Sequence, residues 1–184
     1  DRRLRDPRGV ALFADGRIAV ADHGNDRVAV FSADVASLLG TVPLLKAEGV
    51  AVSPAGRLFA WDEAGAQASR LPEGASAFVG LPPSVATGGV AAMTVDGAGN
   101  LYALRKGSAR VSVITGGMDR LLARAGAQRG LEGGDRLSVD PDGNVYATDV
   151  EKGVTVVMRW GVDVPPVPGL VASWSPDAAE DRKS

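Results

Sequence analysis

Cysteine is absent from this chain of 184 residues, and histidine occurs once, at His23. Disulfides, thiolate metal sites and cysteine nucleophiles are thereby excluded, while the redox compartment stays open because chains without cysteine are compatible with any of them. Long apolar runs are missing too, since no stretch approaches the roughly 18 uninterrupted apolar residues of a membrane-spanning helix. Even VDVPPVPGLVASW, towards the C-terminal end, is broken by three prolines and a glycine. Charge of one sign is lacking: 20 Lys and Arg face 22 Asp and Glu, for a net charge of −2. Such a chain has no overall field to gather phosphate backbones. The local exception is DRRLRDPR, where Arg2, Arg3, Arg5 and Arg8 cluster beside Asp1 and Asp6. It reads as a solvated end. An initiator methionine and a basic-then-apolar leader are absent as well, which reads as a processed chain or part of a longer one. A soluble protein of an organellar, periplasmic or extracellular compartment is compatible with this, and the sequence names none of them.

What is present is a repeat. Four segments align: GVALFADGRIAVAD from Gly9, GVAVSPAGRLFAWD from Gly49, AMTVDGAGNLYALR from Ala92 and RLSVDPDGNVYATD from Arg136. Their turn glycines, Gly16, Gly56, Gly99 and Gly143, stand at intervals of 40, 43 and 44 residues. In each unit a short apolar strand runs into a turn of Asp, Pro, Gly or Asn, types that supply positive φ or pre-set φ, and a second strand follows at once. PDGN at Pro141–Asn144 is the plainest of these hairpin signals.

The second strands, RIAVA, RLFAW, NLYAL and NVYAT, use the β-branched and aromatic residues of buried strands. Third strands follow in RVAVF, RVSVI and GVTVVM, and the second unit has only AQASRLP in that place. Outer strands are expected in ASLLGTV, ASAFVGL and DRLLARAG, the last of which fits a short helix equally well. Four short antiparallel strands in about 43 residues make one blade of a β-propeller. A single such sheet cannot cover both of its apolar faces, so blades must stack around an axis. Units over 7–46, 47–88, 89–132 and 133–175 follow, with an arginine-rich lead over 1–6 and a charged, disordered tail over 176–184. The expected fold is all-β: a closed four-bladed ring, or an arc of a larger propeller.

The first unit, PRGVALFADGRIAVADHGNDRVAVF, resembles the NHL repeat, whose blades follow P-x-G-V-A-V-D-x-D-G-N-I-Y-V-A-D-x-G-N-x-R-V-Q-V-F. The later units keep GVAVSPAGRLF, VDGAGNLYAL and VDPDGNVYATD but lose GNxRV. The resemblance implies an NHL-type propeller over about residues 7–160. It also implies that the place of His23 is variable and that DHGND is the tight connection between second and third strands. In such a connection Asp22 and Asn25 are expected to accept hydrogen bonds from exposed backbone N–H groups.

Related propellers include enzymes, and two residue sets bear on them. The hydroxyglycine lyases are similar in repeat but use several histidines around zinc, whereas this chain has one. Gluconolactonase-like propellers set acidic or amide groups on the axis, and here Arg8, Glu48, Ala91 and Asp135 hold the corresponding places as candidate axial residues. Calcium would want six to eight oxygens, more than these supply. The second set recurs after each second strand: Asp22, Asp62, Arg105 and Asp149, with His23 beside the first. Recurrence at the repeat period points to turn-holding, with a partner-reading surface as the functional alternative. Phosphate-loop and nucleophile-elbow patterns do not occur.

Function is therefore expected to be protein interaction or scaffolding without catalysis or a cofactor, in a peripheral subunit or segment of a larger assembly. An open arc leaves bare apolar blade faces for a protein partner or a second copy to cover. The alternatives are a calcium- or zinc-assisted hydrolase or lyase, and an RNA-binding NHL domain, which would need its scattered arginines gathered on one face.

Overall fold

The computed structural model describes residues 2–63, 69–72, 75–80, 89–105, 111–115, 121–124, 134–150, 153–158 and 172–174. Each repeat becomes one four-stranded sheet. The first holds β1 (Pro7–Leu12), β2 (Ile18–Asp22), β3 (Arg27–Phe31) and β4 (Leu38–Pro43). The second holds β5 (Ala47–Val52), β6 (Leu58–Asp62), β7 (Ser69–Arg70) and β8 (Val79–Gly80). The third holds β9 (Val90–Val95), β10 (Leu101–Arg105), β11 (Val111–Ile114) and β12 (Leu121–Arg124). The fourth holds β13 (Arg136–Val139), β14 (Val145–Asp149), β15 (Val154–Met158) and β16 (Ala172–Trp174).

The hairpin turns form as their residues dictate. All four turn glycines have φ between 76° and 87°, a region that side chains resist. In the third and fourth sheets an aspartate completes the turn: Asp96 and Asp140 each accept the backbone N–H and side-chain amide of Asn100 and Asn144, at 2.6–2.9 Å. Each also accepts a tyrosine hydroxyl, Tyr102 at 3.1 Å and Tyr146 at 3.0 Å. Burial first, and Asp96 second, push the Tyr102 phenol up to about 12.

Two expectations need correcting and one is resolved. The outer strand of the fourth sheet, β16, pairs parallel to β15, whereas every other pairing among the described residues is antiparallel. Parallel neighbours need a connection of about a dozen residues or more, and positions 159–171 supply it. The arginine-rich lead is more than a solvated end: Arg5 N–H donates to Asp22 at 2.7 Å, and the carbonyl of Arg3 accepts from Asn25 and Arg27, both at 3.0 Å. Of the DRLLARAG segment, the described residues Leu121–Arg124 form a strand, β12. The weak third strand of the second unit is just two residues long. Residues 1 and 176–184 lie outside the described residues.

Inner strands meet in series, β1 with β5, β5 with β9 and β9 with β13. We call the face of each sheet turned to the preceding sheet its front and the other its back. Alternation along each strand assigns every core residue to one or the other. Ala19, Ala21 and Val28 on the back of the first sheet pack on Val50, Leu58 and Ala60 on the front of the second. Phe59 and Trp61 then meet Met93, Leu101 and Ala103 of the third. Tyr102, Leu104 and Val113 meet Val145 and Ala147 of the fourth. Small residues permit this approach: a Cβ on Gly9 would stand 2.7 Å from the Cα of Gly49.

Candidate functional site

The DHGND segment is a single 3₁₀ turn over His23–Asn25, followed by Asp26 in the left-handed region at φ 52°. Asp22 holds it. Its fully buried carboxylate accepts from the backbone of Arg5 at 2.7 Å, from Asn25 at 2.8 Å and from Arg27 at 2.7 Å. Burial works to raise this carboxyl's pKa, and the three donors outweigh it and hold the group below the usual range. Asn25 was expected to accept hydrogen bonds, but its amide donates, to Asp22 and to the carbonyl of Arg3. The reason is that Asp22 already fills the acceptor role.

Of the recurrent set, Asp22, His23 and Asp149 are buried, Asp62 is half-buried and Arg105 is exposed. The buried members offer little surface to a partner. His23 instead has close neighbours that the sequence did not reveal. Its Nδ1 lies 3.0 Å from Asp6 and its Nε2 3.2 Å from Glu63. The hydrogen bond from His23 is the chief reason that the Glu63 carboxyl sits below its ordinary pKa. A clue was available in the repeat itself: Glu63 follows Asp62 as His23 follows Asp22.

Arg8 links this cluster to the axis. Its guanidinium lies 2.7 Å from Glu48, 3.3 Å from Asp6 and 3.7 Å from Glu63, and the hydrogen bond to Glu48 raises its pKa. Arg8, Glu48 and Ala91 all stand at register shifts of their strands, between Pro7 and Gly9, Ala47 and Gly49, and Val90 and Ala92. Such bulges re-aim the extra residue, which sends these side chains to one place. The structure brings all four candidate axial positions together: Arg8, Glu48, Ala91 and Asp135 line one cleft of about 340 Å³, with Trp61 and Arg136. The indole N–H of Trp61 is buried with no acceptor among the described residues.

The cleft is a poor metal site. Glu48 is taken by Arg8, and Asp135 accepts the backbone N–H of Val150 at 2.9 Å. Among the described residues no group of three or more His, Cys, Asp or Glu is arranged to hold a metal ion. Neither a calcium cage nor a histidine-rich zinc site fits these donors. Arginines do gather at one groove, where Arg17, Arg57 and Arg70 line a space between the first two sheets. Arg17 there is paired with Asp15 at 2.8 Å and stacks on Phe13.

Comparison with known proteins now bears on the fold. Residues 4–31 match the family model of the NHL repeat. This chain carries an NHL repeat. Among solved structures it is similar to hydrazine synthase of Kuenenia stuttgartiensis, at 15% identity and TM-score 0.62, covering 80% of this chain and 44% of that one. It is also similar to virginiamycin B lyase from Staphylococcus aureus, in a catalytically inactive form with quinupristin, at 12% identity and TM-score 0.64, covering 81% and 50%. A selenomethionine form of that lyase gives 16% identity and TM-score 0.60, covering 86% and 56%. These neighbours are β-propeller proteins, and at such identity the likeness concerns the fold alone. This chain spans about half the length of each. Comparison with curated proteins finds no match.

Proposed function

We propose that this NHL chain is a non-catalytic interaction module, a propeller segment that binds a protein partner through the front of its first sheet. One observation carries the reading. Val10 and Leu12, on the front of β1, are 68% and 66% exposed, whereas Val50 and Met93, at the place of Val10 in the second and third repeats, are 6% and 5% exposed. The same residue type at the same position is core in one sheet and surface in another. Adjacent apolar side chains left in water favour association.

Light scattering across a concentration series tests this. The natural chain is expected to exceed its monomer mass of 18.8 kDa as concentration rises. The double variant Val10→Glu, Leu12→Glu is expected to remain at monomer mass. Association that persists unchanged in the double variant would overturn the reading.

A second reading, hydrolase or lyase chemistry, draws support from the gathering of Glu48 and Asp135 at one cleft. Both carboxylates are already engaged, by Arg8 and by the Val150 N–H, which favours the interaction reading.

A further inference from the structure

The hairpin turns between first and second strands share one backbone and differ in the side chains set on it. In the first sheet Phe13 N–H donates to the carbonyl of Arg17 at 2.9 Å, and the Phe13 carbonyl accepts from the turn glycine, Gly16, at 3.0 Å. Ser53 does the same with Arg57 and Gly56, Asp96 with Asn100 and Gly99, and Asp140 with Asn144 and Gly143. In the third and fourth sheets the side chains at these places also lock the turn, the asparagine amide onto the aspartate. In the first and second the pairs are Phe13 with Arg17 and Ser53 with Arg57. The backbone closes those two turns in the same way, so neither guanidinium is needed to close them.

Both arginines line a groove of about 670 Å³ between the back of the first sheet and the front of the second, and Arg70 of β7 joins them. All three are exposed. The floor between them is apolar and includes Phe13, Leu58 and Leu71. No Asp or Glu is among the described residues that line the space. Asp15 accepts from Nε of Arg17 at 2.8 Å, but these side chains are 56% and 44% exposed, so water weakens the pair and a ligand can compete for it. In a chain whose net charge is −2, the groove is a local reversal of sign.

We propose that this groove binds an acidic protein segment, an extended stretch of Asp or Glu around an apolar residue. Carboxylates meet the arginine rim, where each guanidinium offers a planar fork of N–H donors, and the apolar side chain covers the floor. A nucleic acid fits less well. Its bases need exposed aromatic faces to stack on, and Phe13 is only 8% exposed, with the Arg17 guanidinium 4.5 Å from the centre of its ring. Val30, which also lines the groove, pairs with Ala19 on the back of the first sheet, so this site is separate from Val10 and Leu12 on the front.

Fluorescence anisotropy tests this with a short fluorescein-labelled peptide in which one leucine is flanked by glutamates. The natural chain is expected to bind it saturably at low salt, and about tenfold more weakly when glutamines replace the glutamates. Arg17→Glu and Arg70→Glu are each expected to weaken binding about tenfold or more. Arg136→Glu, the same change of charge at the axial cleft, is expected to leave it unchanged. All three side chains are exposed, so each variant is expected to keep the fold, which thermal unfolding checks.

No binding by the natural chain would overturn the inference. So would binding that Arg136→Glu weakens as much as Arg70→Glu does, since net charge would then account for it. Serine in place of the peptide's leucine is expected to cost about fivefold, and an unchanged affinity would overturn the fit to the apolar floor. Tighter binding of a single-stranded oligouridylate, lost in Arg17→Glu and Arg70→Glu, would give the groove to nucleic acid and overturn the peptide. Light scattering reads the front of the first sheet, which these variants leave intact, and so decides the interaction reading separately.

Discussion

His23 and Glu63 occupy the same place in successive repeats, 40 residues apart, and meet with 3.2 Å between Nε2 and Oε2. Asp6 stands 3.0 Å from the other ring nitrogen. A doubly protonated ring donates to both carboxylates and a neutral ring to only one. The side chain therefore ties the lead before β1 to the residue after β6, and so joins the first two sheets at their rim.

For Glu63 the sign of the pH effect follows from its lowered folded-state pKa. A carboxyl depressed in the folded chain contributes stability above its unfolded value, here 4.5, and loses it as pH falls through the folded value. Glu63→Gln is expected to be less stable than the natural chain at about pH 6, with the difference shrinking at a pH below 4.5 as the carboxyl protonates. Urea unfolding on either side of that pH reads this out, and a constant difference would assign the effect to packing.

Asp22 is the stronger case because it is fully buried beside Arg27. Asp22→Asn removes the buried charge that faces the Arg27 guanidinium, at an expected cost of about 3 kcal/mol at neutral pH. The cost should shrink as pH falls below 3.8 through the lower folded value, where the natural carboxyl also becomes neutral. Denaturant midpoints from pH 7 downward check it.

Gly24 and His23 should part company. A Cβ at Gly24 would stand 2.6 Å from Arg5 Cγ and 2.8 Å from its carbonyl oxygen. Gly24→Val is expected to cost about 1–3 kcal/mol through overpacking. His23→Ala removes the rim tie but touches none of the front face, so association in light scattering is expected to be unchanged. A large loss of association with the fold intact would assign His23 a direct role in binding.

Tyr102→Phe removes the hydroxyl that donates to Asp96, and Tyr146→Phe does the same at Asp140. Each is expected to cost about 1 kcal/mol, the net worth of one hydrogen bond. Thermal unfolding of the two single variants should give similar losses, since the two turns are built alike.

The strands were legible because their causes are local. Gly16, Gly56, Gly99 and Gly143 mark the turns, and period-2 apolar patterns flank them, so β1, β2 and β3 and their counterparts fall within a residue or two of expectation. Arg8, Glu48, Ala91 and Asp135 line one cleft, because equal places in successive repeats lie side by side. Asp6 was not legible beside His23, because no pattern ties residues 6 and 23, whereas Glu63 holds the place of His23 in the next repeat and could have been found there. The bulges at Arg8 and Glu48 were equally silent, being differences of register between strands.

By itself, then, the sequence determined an all-β chain of four repeated sheets with an NHL first unit, because strand, turn and alternation are written within about 43 residues each time. It also ruled out cysteine chemistry by composition. Tertiary structure alone decided which of two identical-looking valines is core: Val50 has Ala19 and Ala21 across from it and Val10 stands exposed. It likewise decided that β16 runs parallel and that His23 lies between two carboxylates. Burial and charge pairing are properties of neighbours, and neighbours 40 residues away are supplied by stacking.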